Sequence, residues 1–438
     1  MADTNLQAID GRVVVELDFG TLQSPDPLFG NGDFVYIKGM LEEPVGGWKT
    51  HTHLIQASSR ELFLTRIRPK MFGNRMVRVR IGVAQGASTI WRAWETHYAF
   101  EVQYIAKDQN ASQSGYSFKL ITVDRLYTLD LNERLVCRSG TIEQIVSALA
   151  THYNFTGAAV EPTKEKYSFI QSFETDYELL LDRLIKSSIN INGLGNYQLY
   201  VQDDQLHFHT PGWKLSGIKT LAYGTPGVPA SNLIFIDRIG QVQLEGAGGV
   251  QNVAYSPLAG TTLMNVTSDT QALRLADVSG GYKRVMHAMA HAGQNQLGYE
   301  LAEAQNTYAV ARLNSYRISF KFTNQPFLRP GEIINLKLPS ANDSWSGLYY
   351  LFSSKISITT GRMTGVYTLA RGELSDAQEN FAGLNTVDPN AVVNSPYMAR
   401  GTGYNATTAS TSSLLMGTGD GLNEQGGATI EVGDPETN

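Results

Sequence analysis

Three pairs of histidines carry the spacing from which metal sites are built. His51-x-His53 and His207-x-His209 would each place two imidazoles on one face of a strand, and His287 and His291 stand four apart, as on a metalloprotease helix. Zinc or iron needs a further ligand, and the protease needs a glutamate directly after its first histidine. Residue 288 is Ala, and only Asp203 and Asp204 stand near an H-x-H pair. No metal-binding, cofactor-binding or catalytic residue is therefore assigned.

Other chemistry is equally sparse. The chain has no G-x-S-x-G nucleophile turn and no phosphate-binding loop of the Walker type. Gly246-Ala247-Gly248-Gly249 lacks the lysine and the G-x-G-x-x-G spacing, and reads as a bend or a close backbone approach. The 41 acidic residues include no carboxylate pair in a context that suggests glycoside hydrolysis. The 21 Tyr, 17 Phe and 5 Trp suit β cores and protein interfaces as well as sugar platforms. One cysteine, Cys137, rules out an intrachain disulfide and reads as a small core residue.

The net charge of −6 argues against tight binding to phosphates and permits the passage of DNA past the surface. The opening MADTNLQAID has neither the basic nor the apolar part of a signal peptide, and no apolar stretch approaches the roughly 20 residues that span a bilayer. With 438 residues, 42% of them hydrophobic, two or three domains with real cores are expected.

The elements that would position these side chains come in blocks. Residues 1–135 read as β: Val13, Val15, Leu17 and Phe19 alternate with Arg12, Val14, Glu16 and Asp18, and short runs follow at 34–37, 62–67, 76–83 and 98–105. Residues 136–212 read as an α+β module. Thr141 with Gln144, and Thr175 with Glu178, form capping boxes. Behind them run apolar stripes of Ile142, Ile145, Val146, Leu149 and Tyr153, and of Tyr177, Leu180, Leu181, Leu184 and Ile185. A hairpin turning at Asp203-Asp204 closes the module. Residues 213–300 form a β-rich connecting region, with runs at 233–236, 242–244 and 263–266, and the alanine-rich stretch 297–313 predicts a helix. Residues 301–374 are a second β segment, with runs at 316–322, 333–338, 349–358 and 365–370. The segment 375–438 is a low-complexity arm with scattered anchors such as Phe381, Tyr397 and Tyr404.

Three stretches in order resemble the baseplate hub family, which takes in late-control tail proteins, contractile-tail hubs and the hub part of type VI secretion spike proteins. The first runs from Thr122-Val123-Asp124-Arg125-Leu126 to Arg138-Ser139-Gly140-Thr141-Ile142-Glu143-Gln144-Ile145-Val146, with Gln144 where the family commonly has glutamate. The second is Gln171-Ser172-Phe173-Glu174-Thr175-Asp176, continued by Arg183-Leu184, and is similar to a "Q-S-x-E-S-D" signature. The third, Leu328-Arg329-Pro330-Gly331-Glu332-Ile333-Ile334, looks like the family's turn into a strand. Together they span roughly residues 110–375.

The resemblance implies a mainly β fold with an α+β insertion. Residues 1–135 and 301–374 would be two tube-like β-barrel domains flanking the module, and a homotrimer would set six barrels in a pseudo-sixfold ring. It implies a non-enzymatic structural hub in the virion baseplate, made in the host cytoplasm. Such a hub meets the tail tube above, a spike protein below and other baseplate proteins around it, with DNA passing through the lumen. No lysozyme insertion or spike repeat is present, so the spike would be a separate protein. The competing readings are a tail-associated cell-wall or glycan hydrolase, a receptor-binding fibre module, and the hub of a bacteriocin or type VI-like injection machine.

Overall fold

The computed structural model describes residues 4–5, 11–21, 23–72, 76–105, 116–163, 166–188, 190, 197–213, 218–222, 233–241, 249–256, 261–268, 284–288, 316–323, 327–337, 346–359 and 361–371. The arm 375–438 with its anchors, the predicted helix 297–313, the run 242–244 and His291 lie outside them. Among the described residues no helix is long and apolar enough to cross a membrane.

The first segment supplies β1 (Thr4–Asn5), β2 (Arg12–Asp18), β3 (Phe34–Pro44), β4 (Thr50–Ala57), β5 (Met76–Gln85), β6 (Ser88–Trp91), β7 (Glu95–Ile105) and β8 (Tyr116–Asp124). The middle gives β9 (Glu133–Thr141), β10 (Gly157–Val160), β11 (Lys166–Thr175), β12 (Gln198–Gln202) and β13 (Gln205–His209). Then come β14 (Lys219–Ala222), β15 (Leu233–Gln241), β16 (Gly249–Ser256), β17 (Thr261–Ser268) and β18 (Arg284–Ala288). The last four are β19 (Tyr316–Thr323), β20 (Ile333–Lys337), β21 (Gly347–Thr359) and β22 (Arg362–Arg371).

Fourteen strands make one curled sheet, in the order β1-β14-β20-β21-β3-β4-β8-β7-β5-β2, with β6 on β5 and a branch β22-β19-β15 leaving β21. The key pairing is β21 with β3, antiparallel, from Ser353↔Pro44 to Thr359↔Lys38. Strand β21 is long enough to serve two neighbours in succession: its first half pairs with β20, and past the irregularity at Leu351/Ser353 its second half pairs with β3. The first and last β segments are thus parts of a single sheet. The Val13 N–H donates to Gly361 O at 2.7 Å, tying β2 back to the β21–β22 turn so that the sheet curls on itself. The inner face is apolar in the expected alternation, with Val13, Val15 and Leu17 facing Ile55, Phe118, Leu120, Ile356, Ile358 and Leu369 in one core.

The middle builds a second core. The Ile142–His152 helix starts at Thr141, whose hydroxyl accepts from Gln144 N–H while the Gln144 side chain accepts from Thr141 N–H, as the capping-box spacing predicts. Thr175 and Glu178 repeat the device for the helical stretch 176–187. Leu149, Leu180, Leu184, Leu199, Leu206 and Phe208 pack between these helices and the β10-β13-β12 sheet. The hairpin turns at Asp203 and Asp204, both with positive φ (52° and 58°), the left-handed pair that a two-residue turn requires.

Four expectations change. Residues 62–67 are helical rather than extended: Ser59 caps a helix at Leu62 N–H, and a short apolar run fits either period. His287 lies on β18, so the helical reading of the His287/His291 spacing fails. Cys137 is exposed, because among the described residues β9 pairs with β11 alone and one face of that ribbon is left open. In the second stripe, a π turn over Leu179–Leu184 resets the phase; Leu179 joins Leu180 and Leu184 in the core, and Leu181 and Ile185 are only half-buried.

Candidate functional site, a buried charge cluster where two sheets meet

Strand β4 changes character along its length. Its inward positions run His51, His53, Ile55, Ala57, so one end of the strand faces the apolar core and the other brings imidazoles into the interior. The neighbouring strands do the same. Glu95 and His97 open β7 below Ala99, and Thr122 and Asp124 close β8 beyond Phe118 and Leu120. Glu43 near the end of β3, Lys49 before β4 and Arg92 before β7 complete a cluster whose side chains are all buried.

Two carboxylates and two cations balance. Lys49 Nζ donates to Glu95 at 2.8 Å and Arg92 to Glu43 at 2.9 Å, with Arg92 also 3.6 Å from Glu95. The His51 imidazole is 3.3 Å from Glu43, and Ser354 of β21 donates to the same carboxylate at 3.2 Å. His97 Nδ1 and Thr122 Oγ1 are hydrogen-bonded at 3.2 Å, and the His97 ring lies 4.3 Å from that of His51. His53 meets Tyr36 OH at 3.3 Å. Burial alone would raise the carboxyls, but the charge of Arg92, the His51 bond and the charge of Lys49 hold Glu43 well below its usual range. Lys49 and Arg92 do the same for Glu95. Burial, helped by neighbouring His97, lowers His51 to about 4, and burial, with His51 and His97 beside it, holds His53 well below the usual histidine range. Asp124 moves the other way: burial raises it to about 6.

The cluster continues outward into a latch. The Arg329 guanidinium sits 4.0 Å from Glu95 and grips Asp203 of the β12–β13 turn at 2.6 and 3.2 Å. The carboxylate of Glu332 accepts from Arg329 N–H at 3.2 Å and from Lys219 Nζ of β14 at 2.6 Å. The other turn residue, Asp204, accepts from Thr96 N–H at 2.8 Å. Between Arg329 and Glu332, Gly331 has φ +96° and lies against the Tyr200 ring, where an added Cβ would come within 2.4 Å. That is the physical content of the Pro-Gly turn in the third motif: only glycine allows both the left-handed backbone and the close approach. Arg329, Glu332 and Lys219 thus belong to one strand group, Glu95 and Thr96 to another and Asp203 and Asp204 to a third.

The second motif is equally concrete. Asp176, fully buried, accepts from Arg138 at 2.6 Å, Tyr153 OH at 2.7 Å and Gln171 Nε2 at 3.0 Å, and the Arg134 guanidinium is its ion-pair partner at 2.9 Å. The Gln and Asp of the signature are the two ends of one knot that pins the β9–β11 ribbon to the helical stretch behind it.

The H-x-H pairs serve packing. His51 and His53 belong to the charge cluster. His209 donates through Nδ1 to Thr210 O at 2.9 Å, leaving Nε2 to accept from Tyr200 OH at 3.1 Å. His207 stacks on the Tyr200 ring at 4.6 Å, and burial, with His209 beside it, lowers it to about 4. Among the described residues no three His, Cys, Asp or Glu side chains converge as metal ligands. Sequence reasoning named the histidines but missed Glu43, Lys49, Arg92, Glu95 and His97. A signal for them exists: His51 and His53 occupy the same alternation phase as Ile55 and Ala57, and histidines in a buried phase call for partners.

No protein-family profile matches the chain. No curated protein sequence matches it. Solved structures do. A tail protein from Neisseria meningitidis superposes with a TM-score of 0.54 at 12% identity, covering 84% of this chain and 99% of that one. The 43 kDa tail protein of prophage MuSo2 from Shewanella oneidensis gives a TM-score of 0.55 at 12% identity, covering 82% of this chain and 98% of that one. The resemblance read from the three sequence motifs therefore holds at the level of architecture: this chain has the fold of phage tail proteins.

Proposed function

We propose that the chain is the structural hub at the centre of a contractile-tail baseplate. In this reading residues 1–135 and 301–374 are tube-like units, residues 136–212 are a module inserted between them, residues 213–300 connect, and residues 375–438 are an arm that grips a neighbour. Three copies form a ring of six tube-like units. The tail tube docks above, a separate spike protein below and other baseplate proteins around, and DNA passes along the axis unbound. The protein works in the virion tail without catalysis and is made in the host cytoplasm.

The observation that carries the reading is the β3–β21 pairing, which joins the two ends of the chain in one curved sheet, together with the fold shared with tail proteins. The charge latch supports it: Glu43, Glu95 and Arg92 pair with one another inside the large sheet, and Arg329 ties that sheet to the β12–β13 turn through Asp203. The net charge of −6 suits a wall that DNA slides past.

Cryo-EM of the intact particle tests the proposal. The expected result is three copies on the tail axis between tube and spike. A peripheral position favours a fibre module, and a particle without DNA points to a bacteriocin or type VI-like machine. Clearing of a peptidoglycan or glycan zymogram by the purified protein would overturn the purely structural reading.

A further inference from the structure

One buried acid is left over by the charge balance of the cluster. Asp124 is 2% exposed. Its Oδ1 accepts from Leu126 N–H at 3.2 Å, where it caps the short helical turn after β8, and its Oδ2 has no hydrogen-bond partner. Buried polar atoms are almost always paired, so this one calls for an account. Register supplies its neighbours. The β4–β8 ladder runs one residue past Thr50↔Val123 through the bond from Asp124 N–H to Lys49 O at 3.1 Å, and the β7–β8 ladder pairs Asp124 with His97. Residues opposite one another in antiparallel strands share a face. Lys49, Asp124 and His97 therefore form one inward row across β4, β8 and β7, and all three are buried.

The Lys49 side chain spans that row. Its Nζ donates to Glu95 of β7 at 2.8 Å, and β8 lies between β4 and β7. Adjacent strands are about 4.8 Å apart, so the lysine has to cross the end of β8, where Asp124 stands. An amine, a carboxyl group and a carboxylate are thus brought together from three neighbouring strands, away from water. Burial raises Asp124 to about 6, which favours its acid form. Glu95 stays ionised in spite of its burial, because Lys49 and Arg92 face it.

We propose that Lys49 and Asp124 condense to an intramolecular isopeptide bond, with Glu95 as the proton acceptor. The Lys49 ammonium passes one proton to Glu95, and the free Nζ attacks Cγ of Asp124 in its carboxylic acid form. The Nζ–Cγ bond forms and the Cγ–Oδ2 bond breaks. Oδ2 leaves as water, with its own proton and a second one from Nζ, and Glu95 gives up its proton to solvent. No oxidant, reductant or cofactor takes part. The atom without a partner is the leaving group, and Oδ1 stays as the amide oxygen that accepts from Leu126 N–H. Once the lysine charge is gone, Glu95 keeps Arg92 at 3.6 Å and Arg329 at 4.0 Å as counter-charges. The ionised groups described above are those of the unlinked chain. The bond staples β4 to β8 at the junction, a single-turnover event that stands whether or not the hub reading does.

Mass spectrometry of the full-length chain, denatured after incubation at pH 6, tests this. The expected mass is lower than that of the unlinked chain by one water. Trypsin should then yield a branched peptide that joins residues 39–60 to residues 120–125 and is uncut after Lys49. Lys49→Met and Asp124→Ala should each keep their full mass. Glu95→Gln should link about a hundredfold more slowly, as the loss of a positioned proton acceptor does. A wild type that is folded by circular dichroism and keeps its full mass after days at pH 6 overturns the proposal, with no variant needed. A water loss that persists in Lys49→Met, or that maps to other residues, overturns it too.

Discussion

The core behind the helices and the junction beneath the curled sheet are both buried and dense, yet they are held by opposite means. Around Leu149, Leu180, Leu184 and Phe208 the interior is apolar, and its stability follows area and shape. Around Glu43, Lys49, Arg92 and Glu95 it is charged, and it is sound only while every charge keeps its partner. An apolar core tolerates graded damage. A charge cluster responds steeply to the loss of one member, and it fixes which groups can meet. That is the more useful property where two sheets must lock in one arrangement.

The point where the two regions touch should be the most sensitive. Gly331→Val forces a branched residue into φ +96° and against the Tyr200 ring; strain and overpacking together should cost about 4 kcal/mol, read as a shifted denaturant midpoint. Glu43→Ala, which leaves Arg92 buried without its closest partner, should cost about 3–5 kcal/mol. If Glu43→Ala proves milder than the apolar truncation below, the contrast between the regions fails. Leu180→Ala should cost about 2–5 kcal/mol. Leu181→Ala, on the half-buried side of the same stretch, should cost clearly less, which sharpens the map of the apolar core.

Acid should separate the regions without mutation. His51 falls from 6.5 to about 4 in the folded chain. Its contribution is complete above the unfolded value and is lost as pH drops from 6.5 through 4. Asp124, raised from 3.8 to about 6, has the opposite sign: it favours the folded state as pH falls through that window and offsets part of the loss. Denaturation midpoints measured between pH 7 and 4 should therefore fall, and fall more steeply in Asp124→Asn. The smallest effect belongs to the helix start. Thr141→Ala should cost about 1 kcal/mol, detectable as a small midpoint shift at every pH.

The same contrast explains what could be read from the sequence. The apolar core was legible because it is local. Capping boxes at Thr141 and Thr175, the stripe through Leu149 and the Asp203-Asp204 turn all lie within a few residues of what they organise. The π turn at Leu179–Leu184 was not, since it shifts the helical period without changing composition. The charge cluster was half legible. The H-x-H spacing put His51 and His53 on one face, but the partners Glu43, Arg92 and Glu95 come from other strands, and no short window contains them. Cys137 was misread because its ribbon has no second layer over its outer face.

The bond from Ser354 to Glu43 joins residues 311 positions apart, and every pair of the β3–β21 ladder, from Ser353↔Pro44 to Thr359↔Lys38, is similarly distant in the chain. This sets a timetable for biosynthesis. At roughly 5–20 residues per second, β3 leaves the ribosome tens of seconds before the strand it must pair with exists. The helical core around Leu149 and Leu180, closed by residue 209, can form in that interval. Until β21 arrives, β3 is an unpaired edge carrying Val35 and Met40, the kind of edge that recruits the wrong strand. Folding of this chain is therefore limited by topology and exposed to aggregation late in synthesis, and its final strands act as the closing step.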